Sequence, residues 1–193
     1  AQTATGEGAN VATVSTGYFS SIGSPGGGNY WELTVGSAVY EGNSQAALVS
    51  DVNSGGVHEA IVDGSRVIIF GAGAATAQLR SRKTSDDDLV SGPTAATAAV
   101  AAQIDLTGDP LEKQDWVLEV GGTTYASYES ADGGDPSRSD VVSDFVSDIN
   151  TEGTYDAFVR PGSSNGLYMF RTGSSAFTPS VTVTPEVVEA VEA

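Results

Sequence analysis

The chain has 193 residues, 25 acidic against 8 basic side chains, a formal net charge of −17, one histidine and no cysteine. That length can bury the core of one domain or of two small ones. The charge argues against nucleic acid and anionic membranes as general partners, and the lack of cysteine removes disulfides, zinc–thiolate sites and thiol nucleophiles together.

Residues 1–10 are small and polar and are expected to form an N-terminal arm. Residues 11–20, with Val14, Tyr18 and Phe19, favour a strand. After a Pro/Gly turn at 24–29, Trp31, Leu33 and Val35 alternate with Glu32 and Thr34, the pattern of a half-buried strand. Gly36 breaks it, and residues 38–40 return as a hairpin partner. A helix follows, capped by Asn43 or Ser44, with Gln45, Leu48, Val49 and Val52 on one face and Gly55 to stop it. Two short strands, 58–62 and 66–70, turn at Asp63-Gly64. Residues 74–93 are small and polar and are expected to be a linker loop.

The second half opens at 94–106, where the alanine-rich stretch 95–102 is compatible with a strand or a short helix. Trp116, Leu118 and Val120 alternate as a strand, Gly121-Gly122 turns it, and residues 123–128 return. Ser137 and Asp140 resemble a capping box before a helix whose face carries Val142, Phe145, Val146 and Ile149, with Gly153 at its end. Strands at 155–159 and 167–171 follow, and the acidic tail 180–193 completes the chain.

The two halves say the same thing twice. Trp31, Leu33, Val35, Gly36 and Tyr40 return at an offset of 85 as Trp116, Leu118, Val120, Gly121 and Tyr125. Val49, Asp51 and Asn53 return at an offset of 97 as Val146, Asp148 and Asn150, and Phe70 and Gly73 at an offset of 100 as Phe170 and Gly173. Ordered matches at growing offsets indicate a duplicated unit with loop insertions. The expected fold is therefore α+β: two tandem repeats, 11–73 and 94–179, each a small antiparallel sheet covered by one helix. Trp31 is expected to pack under its helix against Leu48 or Val52, and Trp116 against Phe145 or Ile149.

The pattern Trp-x-Leu-x-Val-Gly-x-x-x-Tyr, then a helix ending near Asp-(Val/Ile)-Asn, then a hairpin, resembles the inserted repeat of podophage tail tubular (nozzle) proteins. It is similar also to modules of other tailed-virus structural proteins and of large bacterial surface proteins. The resemblance implies a structural or adhesive module with no catalytic residues to carry over.

Little chemistry stands against that reading. His58, the only histidine, sits at a strand start and is expected at a surface or edge; alone it cannot anchor a usual zinc site. No Gly-x-Ser-x-Gly elbow accompanies it, which weighs against a small hydrolase. Asp86, Asp87 and Asp88, and separately Asp132 and Asp135, offer oxygen ligands for calcium, but neither set matches a known calcium loop, and both read as solvated charge. Arg80, Arg82 and Lys83 hold three of the eight positive charges. They either contact an acidic patch of a neighbouring subunit or balance the nearby aspartates. No apolar run is long enough to cross a bilayer, and no signal peptide is legible; Ala1 fits removal of an initiator methionine or cleavage of a secretory signal.

The expectation is a non-enzymatic virion protein of a tailed virus, in the capsid or tail. It would need no cofactor, partner with copies of itself and with other virion proteins, and bind neither specific nucleic acid nor membrane. The alternative is a secreted adhesin or extracellular filament subunit of a bacterium or archaeon.

Overall fold

In the computed structural model the described residues are 8–129, 136–173 and 175–184. They form thirteen strands: β1 Gly8–Phe19, β2 Asn29–Val35, β3 Ala38–Gly42, β4 Glu59–Asp63, β5 Arg66–Phe70, β6 Gln78–Lys83, β7 Leu89–Ala95, β8 Thr97–Thr107, β9 Asp115–Val120, β10 Thr123–Glu129, β11 Asp156–Val159, β12 Gly166–Thr172 and β13 Pro179–Thr184. Helix α1 (Gln45–Ser54) lies between β3 and β4, and α2 (Arg138–Glu152) between β10 and β11.

The expected α+β class is corrected. Of the described residues 52% are strand and 16% helix, and the strands make three sheets rather than two sheet-plus-helix repeats. The order strand-strand-helix-strand-strand does recur, as β2-β3-α1-β4-β5 and β9-β10-α2-β11-β12. The two hairpins of each run nevertheless enter different sheets. β2-β3 belongs to a four-stranded sheet, β3-β2-β6-β7, and β9-β10 to a three-stranded one, β10-β9-β13. Hairpins β4-β5 and β11-β12 are the ends of a six-stranded sheet, β11-β12-β8-β1-β5-β4. The physical reason is that hairpin closure is local and legible, while the choice of further sheet neighbours is made by distant strands.

Residues 74–93 are not a linker loop, because β6 and β7 fall there. Of the two readings of 95–102 the strand holds: Ala95 ends β7 and Thr97 begins β8. β1 starts at Gly8 inside the expected arm, and β13 occupies the first residues of the expected tail; residues 1–7 and 185–193 lie outside the described set.

The described residues divide into two compact units, one drawn from 14–101 with 171–173 and 175, the other from 8–13, 102–129, 136–170 and 176–184. In the first, Leu33 and Val35 of β2, Tyr40 of β3, Leu48 and Val52 of α1, Val67 and Ile69 of β5 and Leu79 of β6 share one core, with Trp31 and Val49 packed at its margin. Every residue of β5 from Val67 to Phe70 is buried, which suits a strand flanked by β1 and β4 and covered on both faces. Gly42 lets β3 press against the start of α1: a Cβ there would stand 2.2 Å from the Leu48 amide nitrogen. In the second unit Trp116 and Leu118 of β9 and Val141, Val142, Phe145 and Ile149 of α2 are buried.

Both helix starts follow their expected caps. Ser44 Oγ accepts from the Ala47 amide at 3.2 Å. Ser137 Oγ accepts from the Asp140 amide at 3.3 Å, while Asp140 Oδ2 accepts from the Ser137 amide at 2.9 Å, a reciprocal capping box. These bonds from Ser137 hold the Asp140 carboxyl below its ordinary value of 3.8. A carboxyl whose folded pKa is depressed adds stability above its unfolded value and loses it as pH falls through the folded one. Acidification below about pH 4 should therefore fray the start of α2. Ser137→Ala should cost about 1 kcal/mol, with part of the cost persisting in acid because the Asp140 amide bond to Ser137 Oγ does not titrate; urea titrations at two pH values will read it.

Candidate functional site

The duplicated residues meet at the joint between each helix and the strand after it. Asn53, at the end of α1, donates from Nδ2 to the Ala60 carbonyl at 3.0 Å and accepts from the Ala60 amide at 2.8 Å. Asn150 makes the same pair with Ala157, at 3.0 and 2.7 Å. An amide side chain carries a donor and an acceptor side by side and so satisfies a backbone carbonyl and amide at once. Asp51 accepts from the Glu41 amide at 2.9 Å and Asp148 from the Ser127 amide at 3.2 Å, tying each helix to the preceding hairpin. Tyr125 sits where the β9–β10 register shifts, which is why the second bond lands one residue further along than the repeat offset predicts.

His58 stands beside this joint in the first half. It is buried, not at a surface or edge as expected. Its Nε2 lies 2.9 Å from the Ala72 carbonyl, which can only accept, so Nε2 carries hydrogen; Nδ1 lies 2.7 Å from the Tyr40 hydroxyl. Both ring nitrogens are thus used. Gly71, at φ 128°, is needed next to it, since a Cβ there would be 2.8 Å from His58 Cδ2. The repeat offset carries His58 onto Tyr155. The ring pair Tyr40–His58, edge to face with centroids 5.8 Å apart, is matched by Tyr125–Tyr155 at 5.0 Å.

The three clustered cations have partners within the chain. The antiparallel register of β2 and β6 sets Glu32 opposite Arg80 and Tyr30 opposite Arg82. Glu32 takes Arg80 Nε at 3.0 Å and Arg82 Nε at 2.5 Å. Both are ion pairs of one carboxylate with a guanidinium, and Glu32 raises the Arg82 pKa above its ordinary value. Arg82 also donates to the Asp87 carbonyl at 2.8 Å, and the Tyr30 hydroxyl donates to Asp87 Oδ1 at 3.0 Å. Lys83 approaches Asp88 at 3.8 Å in solvent, a contact of small worth. The aspartates 86–88 thus cap the β6–β7 hairpin, with Asp87 in the left-handed region at φ 57°. Within the chain, then, Arg80 and Arg82 pair with Glu32 rather than with the nearby aspartate side chains, and Lys83 with Asp88.

Glu32→Ala should leave two arginines facing each other. With both guanidinium groups about a quarter exposed, the expected loss is about 1–3 kcal/mol in a denaturant titration.

Among the described residues no group of three or more metal-ligating side chains gathers; Asp132 and Asp135 lie outside that set. Two open clefts are present. One, about 420 Å³, is lined by Ile22, Ser24, Gln45 and Ser65, and Gln45 spends its amide on the Ile22 and Ser65 carbonyls. The other, about 270 Å³, runs along β10 and α2 past Tyr125, Asp148 and Glu152. No helix among the described residues is long and apolar enough to cross a membrane.

No family model, curated protein or solved structure matches this chain.

Sequence reasoning missed β7. All seven of its residues are exposed, and β6 is its only neighbour in the sheet among the described residues. The available signal was negative: from Leu89 to Ile104 no residue is charged, in a chain with 33 charged side chains (25 acidic and 8 basic).

Proposed function

We propose that the protein is a non-enzymatic structural component of a tailed-virus virion, in capsid or tail, acting by homo-oligomeric assembly. One observation carries this reading: what the two halves share is scaffold. Asn53 and Asn150 pin helix to strand, Asp51 and Asp148 pin helix to hairpin, and the matched aromatic pairs pack. The one histidine and the clustered cations are spent on internal bonds. A strongly acidic surface suits a particle in salty water, or a tail lumen that DNA must not stick to.

Negative-stain microscopy of the purified protein with and without salt tests the proposal. Rings, tubes or small closed oligomers are expected, more of them at high salt, where repulsion between chains of charge −17 is screened. Dispersed monomers at every salt and protein concentration would overturn it.

A further inference from the structure

We propose that β7 pairs antiparallel, edge to edge, with β7 of a second copy, joining two four-stranded sheets into one of eight. The inference rests on the assembly reading above and names its contact.

Two copies of so acidic a chain meet at least cost where neither carries charge. Most strands that end a sheet hold acids: Glu41 in β3, Glu59 and Asp63 in β4, Glu129 in β10 and Asp156 in β11. β13 is neutral, but Pro179 is buried and Val181 and Val183 are half covered. β7 is neutral and exposed throughout, with Leu89 at 53% and Val90 at 47%. On its outer side no strand stands beside it among the described residues, which leaves an edge open to another strand, although its ladder to β6 is irregular on both sides of Ser91.

The direction follows from the flanking charges. A two-fold axis at Gly92, the middle of β7, sets Val90 against Thr94 of the second copy. The same axis carries Asp86, Asp87 and Asp88 onto Ala98, Thr97 and Ala96 of the other chain, all neutral. Parallel pairing in register would stack the aspartates on each other. Pro93 lacks a donor, so the ladder loses a rung and the edge is blunted against casual partners. A two-fold contact uses the same edge of both chains and therefore closes on itself rather than growing into a fibre.

The test is Val90→Glu with Thr94→Glu, both at exposed positions, read by light scattering after size exclusion, with circular dichroism to confirm the fold. The parent should show species of at least twice the 19.6 kDa chain mass. The glutamate variant should need about tenfold more protein, or more, to associate, because like charges then face across the strands. Mixing it with the Val90→Lys, Thr94→Lys variant should restore a mixed pair. A glutamate variant that associates like the parent overturns the β7 contact and leaves the assembly reading standing. A parent that stays monomeric across the concentration and salt series overturns both.

Discussion

Trp116→Ala is expected to lower the unfolding free energy by about 3–5 kcal/mol, the cost of truncating a large core side chain. The ring is fully buried on the central strand of its sheet, opposite Tyr128 of β10 and Val183 of β13. Its indole nitrogen has no hydrogen-bond partner among the described residues. Trp116→Phe should therefore cost much less, since it forfeits packing volume but no hydrogen bond. Trp31→Ala should also cost less than Trp116→Ala. Trp31 is only half buried, at the edge of the core that holds Leu48 and Val52, and its indole donates to the Gly23 carbonyl at 3.1 Å. Urea titrations of the three variants check this ranking, and a Trp116→Ala loss under about 1 kcal/mol would show that the ring is not core.

His58→Ala carries the second large effect, about 2–4 kcal/mol. It removes a buried ring and leaves the Tyr40 hydroxyl and the Ala72 carbonyl without their partners. His58→Phe separates the two causes, because it keeps most of the volume and drops both hydrogen bonds. It should retain roughly 1–3 kcal/mol of the loss. The same cluster predicts alkaline sensitivity. Burial, with the Asp51 charge, pushes the Tyr40 hydroxyl above its ordinary value of 10.0. A group whose folded pKa is raised contributes stability that is whole below the unfolded value and is lost as pH rises through the folded one. Stability should hold up to about pH 10 and then fall, with this tyrosine ionising late in a phenolate absorbance titration.

The local elements were legible because their signals are local. Trp31-x-Leu33-x-Val35 and Trp116-x-Leu118-x-Val120 alternate, Gly36 and Gly121 adopt the positive φ their turns require, and Ser44 and Ser137 cap as their positions suggest. Sheet membership was not legible. β6 escaped notice because Arg80 and Arg82 disguise a strand whose alternate residues, Leu79 and Ser81, are buried; the charges are tolerable only because Glu32 arrives from β2. β7 escaped because a strand exposed on both faces has no reason to alternate. β13 does alternate, Val181 and Val183 against Ser180, Thr182 and Thr184, but the acidic run directly after it hides so short a strand. At the candidate site, the paired asparagines stood in the repeat pattern from the start; that they clamp a backbone required the strand each faces.

The place of β13 in its sheet also sets an order of events. Strands β9 and β10 turn tightly on each other and can zip as soon as both exist. β9 then waits with one edge open until Pro179–Thr184 arrives from the far end of the described chain to pair along its whole length. During synthesis Trp116 lies on that half-finished sheet, and a ribosome still holding β13 holds back its closure. Maturation of this half thus waits until residues 179–184 have left the ribosome, and a chain stopped before residue 179 should leave β9 open to the first foreign strand it meets.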